Sequence, residues 1–318
     1  MQASQGMRAM DSIVIRTAVP ILFLMGAGFF SRRMSILKHG DERVFSAYVY
    51  YFALPALFFV NIAEVVFTPE ILVFMLGAII PTLTVMMVYG LLYSMSWLSR
   101  NAFYLLTLST IFGSLAFFGI PFVTFAFPGV GERLATLSSA FIATVSVTMS
   151  LVFLELYRLE GFTKWGGVKR VGARLLRNPL IISILAGVCF SLVGFDIPTP
   201  VSDPLHMLGN TTSVVAIFML GVFLYGRRYT RIVDAFKLSL LRMIFLPAVA
   251  FLSVRLLGLT GVEGSVLVIL HGTPVAISMI VLSERYDFFK ETIVSLALVS
   301  SLSAVVVLNL WLFLVGHF

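Results

Sequence analysis

Two short motifs in this chain combine the residue types that interrupt a helix part-way along: Gly119-Ile120-Pro121 and Gly272-Thr273-Pro274. Proline brings no N–H, and its ring collides with the turn before it, so a helix kinks or breaks there. Glycine just upstream tolerates the irregular backbone. Pro121 and Pro274 then suit the first position of a new half-helix. Such a half-helix starts with N–H groups that have no intrahelical acceptor and with the positive end of its dipole, which together favour an anion or a carboxylate. Thr273 adds a hydroxyl, and His271 an imidazole able to titrate near neutral pH. Asn61 and Asn210 offer amides that can serve a ligand or tie helices together.

The segments that must hold these motifs are apolar. Hydrophobic residues make up 59% of the 318, charged residues only 12%, and the mean hydropathy is +1.03. Soluble domains carry about 25% charge, so the partner that solvates this chain is a lipid bilayer. Apolar runs fall at 12–30, 46–64, 71–96, 103–127, 134–157, 178–195, 204–226, 236–257, 262–283 and 291–315. About 20 residues cross the hydrocarbon core, so the expected fold is an all-α integral membrane protein of ten transmembrane helices. In hydrocarbon every freed backbone group costs several kcal/mol unless it is satisfied, so a mid-span break must be packed in protein or line a wet cavity.

Eighteen of the 22 lysines and arginines lie in alternate gaps between these runs, leaving Arg8, Arg16, Arg133 and Arg255 for the other side. The positive-inside rule then puts both termini outside a cell membrane. The longest basic connection, 161–177, divides a first five-helix half, 1–160, from a second, 178–318, and an odd number of spans per half makes the two halves inverted. Pro81 in the third span and Pro247 in the eighth echo each other, as do the two glycine–proline motifs, and matched breaks in two halves mark a midplane binding site.

Other chemistries are excluded. No aspartate or glutamate falls in the middle third of a span, His271 has no acidic neighbour, and neither H-E-x-x-H nor a phosphate-binding G-x-x-x-x-G-K-[ST] loop occurs, so an enzyme, a metal site, a cofactor and direct use of ATP are not expected. The net charge of +7 is spread over short loops, which argues against nucleic acid. Cys189, the only cysteine, reads as a small buried hydrophobe. Arg16, Glu64, Glu155 and Arg255 read as snorkelling span ends, Asn309 as packing, and Arg242, set deeper, as a snorkelled or paired arginine that could counter an anion.

Asn178-Pro179-Leu180-Ile181-Ile182, Gly187, Pro198, Leu208-Gly209-Asn210 and Leu220-Gly221 resemble the sixth and seventh spans of the auxin efflux carrier family. Leu54-Pro55-Ala56, Gly119-Ile120-Pro121, and Pro274-Val275-Ala276 followed by Tyr286 and Asp287 resemble its second, fourth and ninth. The resemblance implies two inverted five-helix repeats with crossing broken helices 4 and 9, a scaffold of spans 1, 2, 6 and 7, and a mobile unit of spans 3–5 and 8–10. It further implies a permease for a small organic anion such as a dicarboxylate, working by alternating access. A proton or sodium is a candidate coupling ion, a homodimer is an open alternative, and a sodium-coupled symporter for bile-acid-like acids is the competing reading. Where the family often carries asparagine, this chain has Ser114 and Ser278, which shortens the reach of those side chains. The expected site therefore comprises Ser114, Gly119, Ile120, Pro121, His271, Gly272, Thr273, Pro274 and Ser278, with Asn61 and Asn210 facing it from the scaffold, and backbone N–H groups after Gly119 and Gly272 as the main donors.

Overall fold

The computed structural model describes residues 19–158, 173, 176–226 and 230–316. Most of the connection 161–177, and the basic residues Arg8, Arg16, Arg227 and Arg228, lie outside the described residues. Among those described, the chain is helical: α1 at 19–33, α2 Glu42–Ala63, α3 Pro69–Ser94, α4 Arg100–Ile111, α5 Leu115–Ala126, α6 Gly131–Arg158, α7 Pro179–Val193, α8 Thr199–Leu224, α9 Ile232–Leu256, α10 Gly261–His271, α11 Ser278–Tyr286 and α12 Lys290–Gly316. Six of these helices (α2, α3, α6, α8, α9 and α12) are long and apolar enough to cross a membrane. At about 1.5 Å per residue the 26 residues of α3 reach about 39 Å, more than the hydrocarbon core. Leu72, Leu76, Leu83, Met87 and Leu91 form an exposed stripe down α3, a surface suited to acyl chains. Ile182, Leu185 and Leu192 are likewise exposed on α7, and Cys189 is exposed on the same helix. Cys189 is thus not the buried hydrophobe its apolar run suggests, because that run faces outward.

Among the described residues, side chains cap three helix starts, while Asp41, Ser114 and Thr260 stand at such positions without a cap bond. Thr68 accepts from the Ile71 N–H, Ser99 from Ala102 and Asn178 from Leu180. Three interior prolines share one solution. Each of Leu54-Pro55, Ile120-Pro121 and Leu246-Pro247 follows a wide π-turn, at Val49–Ala53, Leu115–Gly119 and Leu241–Phe245. In each, the residue before the proline donates to the carbonyl five residues back, so the proline ring meets a loosened turn. Pro247 leaves the carbonyl four residues back, Met243 O, without its helical donor, and the Trp311 indole N–H supplies one at 2.8 Å.

Two sets of helices pack internally. In the first, α2 packs on α7 and α8, and α1 crosses α8; in the second, α3, α6, α9, α10 and α12 pack together. The sets meet where α5 touches α8 and α6 touches α2. The α1–α8 crossing depends on absent side chains: a Cβ at Gly221 would lie 1.8 Å from Met25 O, and Gly28 meets Phe218 O in the same way. Gly221→Val is expected to force these helices apart and to destabilise the protein by about 1–3 kcal/mol, the usual cost of overpacking. Thermal unfolding in detergent measures it; an unchanged melting temperature would remove that crossing from the architecture.

Candidate functional site

The chain abandons helical structure twice in apolar surroundings, at 112–114 between α4 and α5 and at 272–277 between α10 and α11. The two interruptions pair with each other. Gly113 and Val275 form an antiparallel bridge, the Ser114 N–H donates to Pro274 O at 2.7 Å, and the Ala276 N–H donates to Phe112 O at 3.0 Å. Ser300 of α12 accepts from the Val275 N–H at 3.1 Å. Each interruption thus satisfies part of the other's backbone, which is how irregular chain survives away from water.

Arg242 completes the arrangement. Its side chain is only 1% exposed, and no carboxylate among the described residues lies within ion-pair distance of it. Its Nε donates to Thr273 O at 2.8 Å, Nη1 to Thr110 O at 2.5 Å and Nη2 to Thr273 Oγ1 at 2.9 Å. Thr110 is in the last turn of α4 and Thr273 lies just past α10, so one guanidinium covers unpaired carbonyls at two helix C-termini, where the helix dipoles favour a cation. Gly113 makes room for it: a Cβ there would stand 1.7 Å from Nη2. This buried arginine is neither snorkelled nor paired with an acid. The one sign in the sequence was its depth, five residues before Pro247.

The first interruption does not fall at Gly119–Pro121. Those residues are buried inside α5, where the π-turn absorbs the proline, and the Gly119 N–H donates to Ser114 O at 3.0 Å. The donors left free lie upstream: the N–H groups of Leu115, Ala116 and Phe117 have no acceptor among the described residues. On the other side the Gly272 and Thr273 N–H groups bond back into α10, and Pro274 has none to give. There the free donors are the N–H groups of Ile277 and Ser278, at the start of α11. Ser114 and Ser278 stand at these two helix starts, Ser114 buried and Ser278 exposed, and neither hydroxyl has a hydrogen-bond partner among the described residues.

The remaining residues expected at the site are occupied elsewhere. The Thr273 hydroxyl donates to Leu270 O at 2.7 Å and accepts from Arg242, so it is not free for a ligand. His271 is 0% exposed; its Nδ1–H donates to Leu267 O at 2.7 Å and its Nε2 has no hydrogen-bond partner among the described residues. Asn61 donates to Leu57 O one turn back. Asn210 is exposed on α8, and with its amide turned over Nδ2 donates to Glu132 Oε1 at 3.1 Å and His206 O at 3.2 Å. Neither amide bonds to an interruption. A second polar group lies at that end of the bundle: His206 meets Glu64 at 2.9 Å, and Arg133 donates to Glu64 O at 3.3 Å.

Long apolar helices with exposed apolar stripes, and two interruptions that meet among them, define a multi-pass membrane protein. The sequence profile described as membrane transport protein matches residues 13–164 and 165–312, and the chain belongs to that family, the family of the auxin efflux carriers. It is 24% identical over 317 residues to "Uncharacterized transporter YfdV" of Escherichia coli (strain K12), covering 96% of this chain and 98% of the relative. It is 25% identical over 313 residues to "Uncharacterized transporter MJ1031" of Methanocaldococcus jannaschii, with 95% and 97% covered. It is 23% identical over 315 residues to "Putative malonate transporter" of Rhizobium meliloti, with 93% and 94% covered. These are names of transporters, not of enzymes.

Proposed function

We propose that this protein is a secondary transporter that carries a small organic anion, a carboxylate of the malonate class, across a cell membrane by alternating access. The observation that carries the reading is the division of charge at the paired interruptions. Arg242 neutralises the two C-terminal helix ends, and the two N-terminal ends keep unpaired N–H groups beside Ser114 and Ser278. Such a centre attracts an anion from two sides and carries no carboxylate to repel one. The relative named for malonate supports the substrate class. In this reading the chain crosses the membrane ten times as two inverted repeats, with α4–α5 and α10–α11 as the crossing broken spans and both termini outside. Helices α1, α2, α7 and α8 are the scaffold against which the rest moves.

Uptake of radiolabelled malonate into proteoliposomes tests this, with succinate and an uncharged diamide as comparisons. Saturable uptake of the diacids and none of the diamide is expected. Ser114→Ala and Ser278→Ala should each weaken apparent affinity by about 1 kcal/mol, roughly fivefold, since each removes one neutral hydrogen bond while the backbone donors remain. Loss of all binding in both serine variants would replace the backbone site with a side-chain site. Uptake of the diamide alone would overturn the anion reading.

A further inference from the structure

A cavity of about 850 Å³ opens between the ends of α1, α2 and α8, and Ile280 of α11 reaches its wall. Two guanidinium groups line it. The Arg43 side chain makes no hydrogen bond or ion pair among the described residues, and Arg32 places one N–H on Leu37 O at 3.2 Å. Glu42, the one carboxylate among the described residues of the wall, is turned to its own loop, accepting from the Gly40 N–H at 3.0 Å and lying 3.5 Å from His39. The Ser46 hydroxyl and the Tyr50, Tyr51 and Tyr225 rings line it as well. Phe223 and Ile280 also border a second space of only about 10 Å³, which Ile277 lines as well. That gap barely admits one water. Ile277 carries one of the free N–H groups at the second interruption. The cationic cavity thus shares Phe223 and Ile280 with the small space that Ile277 lines.

We propose that this cavity is a capture site for the carboxylate of the transported anion, occupied before the substrate passes Phe223 and Ile280 toward the second interruption. The inference rests on the anion-transport reading above and adds where the anion is first held. The same two arginines could hold a lipid phosphate, so the test is run in phosphatidylcholine alone and repeated with phosphatidylglycerol.

The experiment places a reporter thiol on the cavity wall, Ser46→Cys, in a Cys189→Ala background, because Cys189 is exposed. Its modification is timed with an anionic and with a cationic methanethiosulfonate of similar size. The anionic reagent should react faster by about tenfold, the enrichment a cation-lined cleft gives. Saturating malonate should slow it severalfold. Arg43→Gln should abolish the charge preference and the protection, and Arg43→Lys should restore most of both. Equal rates for the two reagents, or an anionic preference untouched by malonate, would overturn the capture site. Protection that vanishes when phosphatidylglycerol is added would assign the arginines to lipid and overturn it as well. Malonate uptake is measured on the same preparation. Uptake without protection sinks this inference alone; neither uptake nor protection sinks the transport reading with it.

Discussion

Arg242→Gln is expected to lower the melting temperature sharply in detergent and to abolish transport. The guanidinium makes three hydrogen bonds in a site from which water is excluded, two of them to carbonyls that have no other donor there. Bonds from a charged donor contribute about 1.5–3 kcal/mol each, and buried acceptors left alone add their own desolvation cost. Even with incomplete additivity the loss is roughly 3 kcal/mol or more, a large part of a typical folding free energy. Arg242→Lys should fall between parent and Gln, because a single ammonium keeps the charge but lacks the planar fork that reaches Thr110 and Thr273 together. Gly113→Ala should resemble Gln, since the added methyl would occupy the space of Nη2. A glutamine variant with the parent's melting temperature would mean that the interruptions hold each other without the arginine.

Linking α6 to α8 is expected to stop transport outright. Asn210 and Glu132 meet across the boundary between the two helix sets, and Arg133 of α6 bonds to Glu64 O at the end of α2. This contact lies at the opposite end of α2 from Arg43, about 33 Å away along a 22-residue helix. On the transport reading, polar contacts close one end of the protein and the 850 Å³ cavity opens at the other. In an alternating-access cycle the closed end must part. With Glu132→Cys and Asn210→Cys in a Cys189→Ala background, a short bifunctional thiol reagent should reduce malonate uptake by more than tenfold, and reductant should restore it. Undiminished uptake with the link complete would rule out movement of α6 against α8.

The membrane class was legible in composition alone, because no soluble surface can be built from 12% charged residues. The second interruption was legible too: Gly272 and Pro274 lie within it, since no wide turn precedes that proline. The first was misplaced for a physical reason. Pro121 is the visible breaker, yet the π-turn at Leu115–Gly119 accommodates it, and the chain opens upstream at Gly113. What requires glycine there is Arg242, a contact between residues far apart in sequence, and no local pattern encodes it. Thr273 illustrates the same limit. Its hydroxyl looks available for a ligand until the arginine that occupies it is known. Ser278 was singled out by family pattern and stands at a helix start with its hydroxyl free, but nothing in its own neighbourhood distinguishes it from the many other serines of the chain.

On the transport reading, Arg242, which has no carboxylate partner among the described residues, would also tie the protein to the membrane voltage. In the proposed cycle α9 moves with the binding centre, so an empty carrier moves one positive charge through the field, worth up to about 2.3 kcal/mol per 100 mV. An inside-negative potential draws that empty form toward the cytoplasm. A monoanion on board cancels the charge and makes the loaded step indifferent to voltage. A divalent anion reverses its sign, so the same potential drives the loaded form outward. One buried side chain would thus let the resting potential reset the empty carrier and expel a doubly charged cargo, with the ionisation state of the substrate acting as the switch between electrically silent and electrically driven movement.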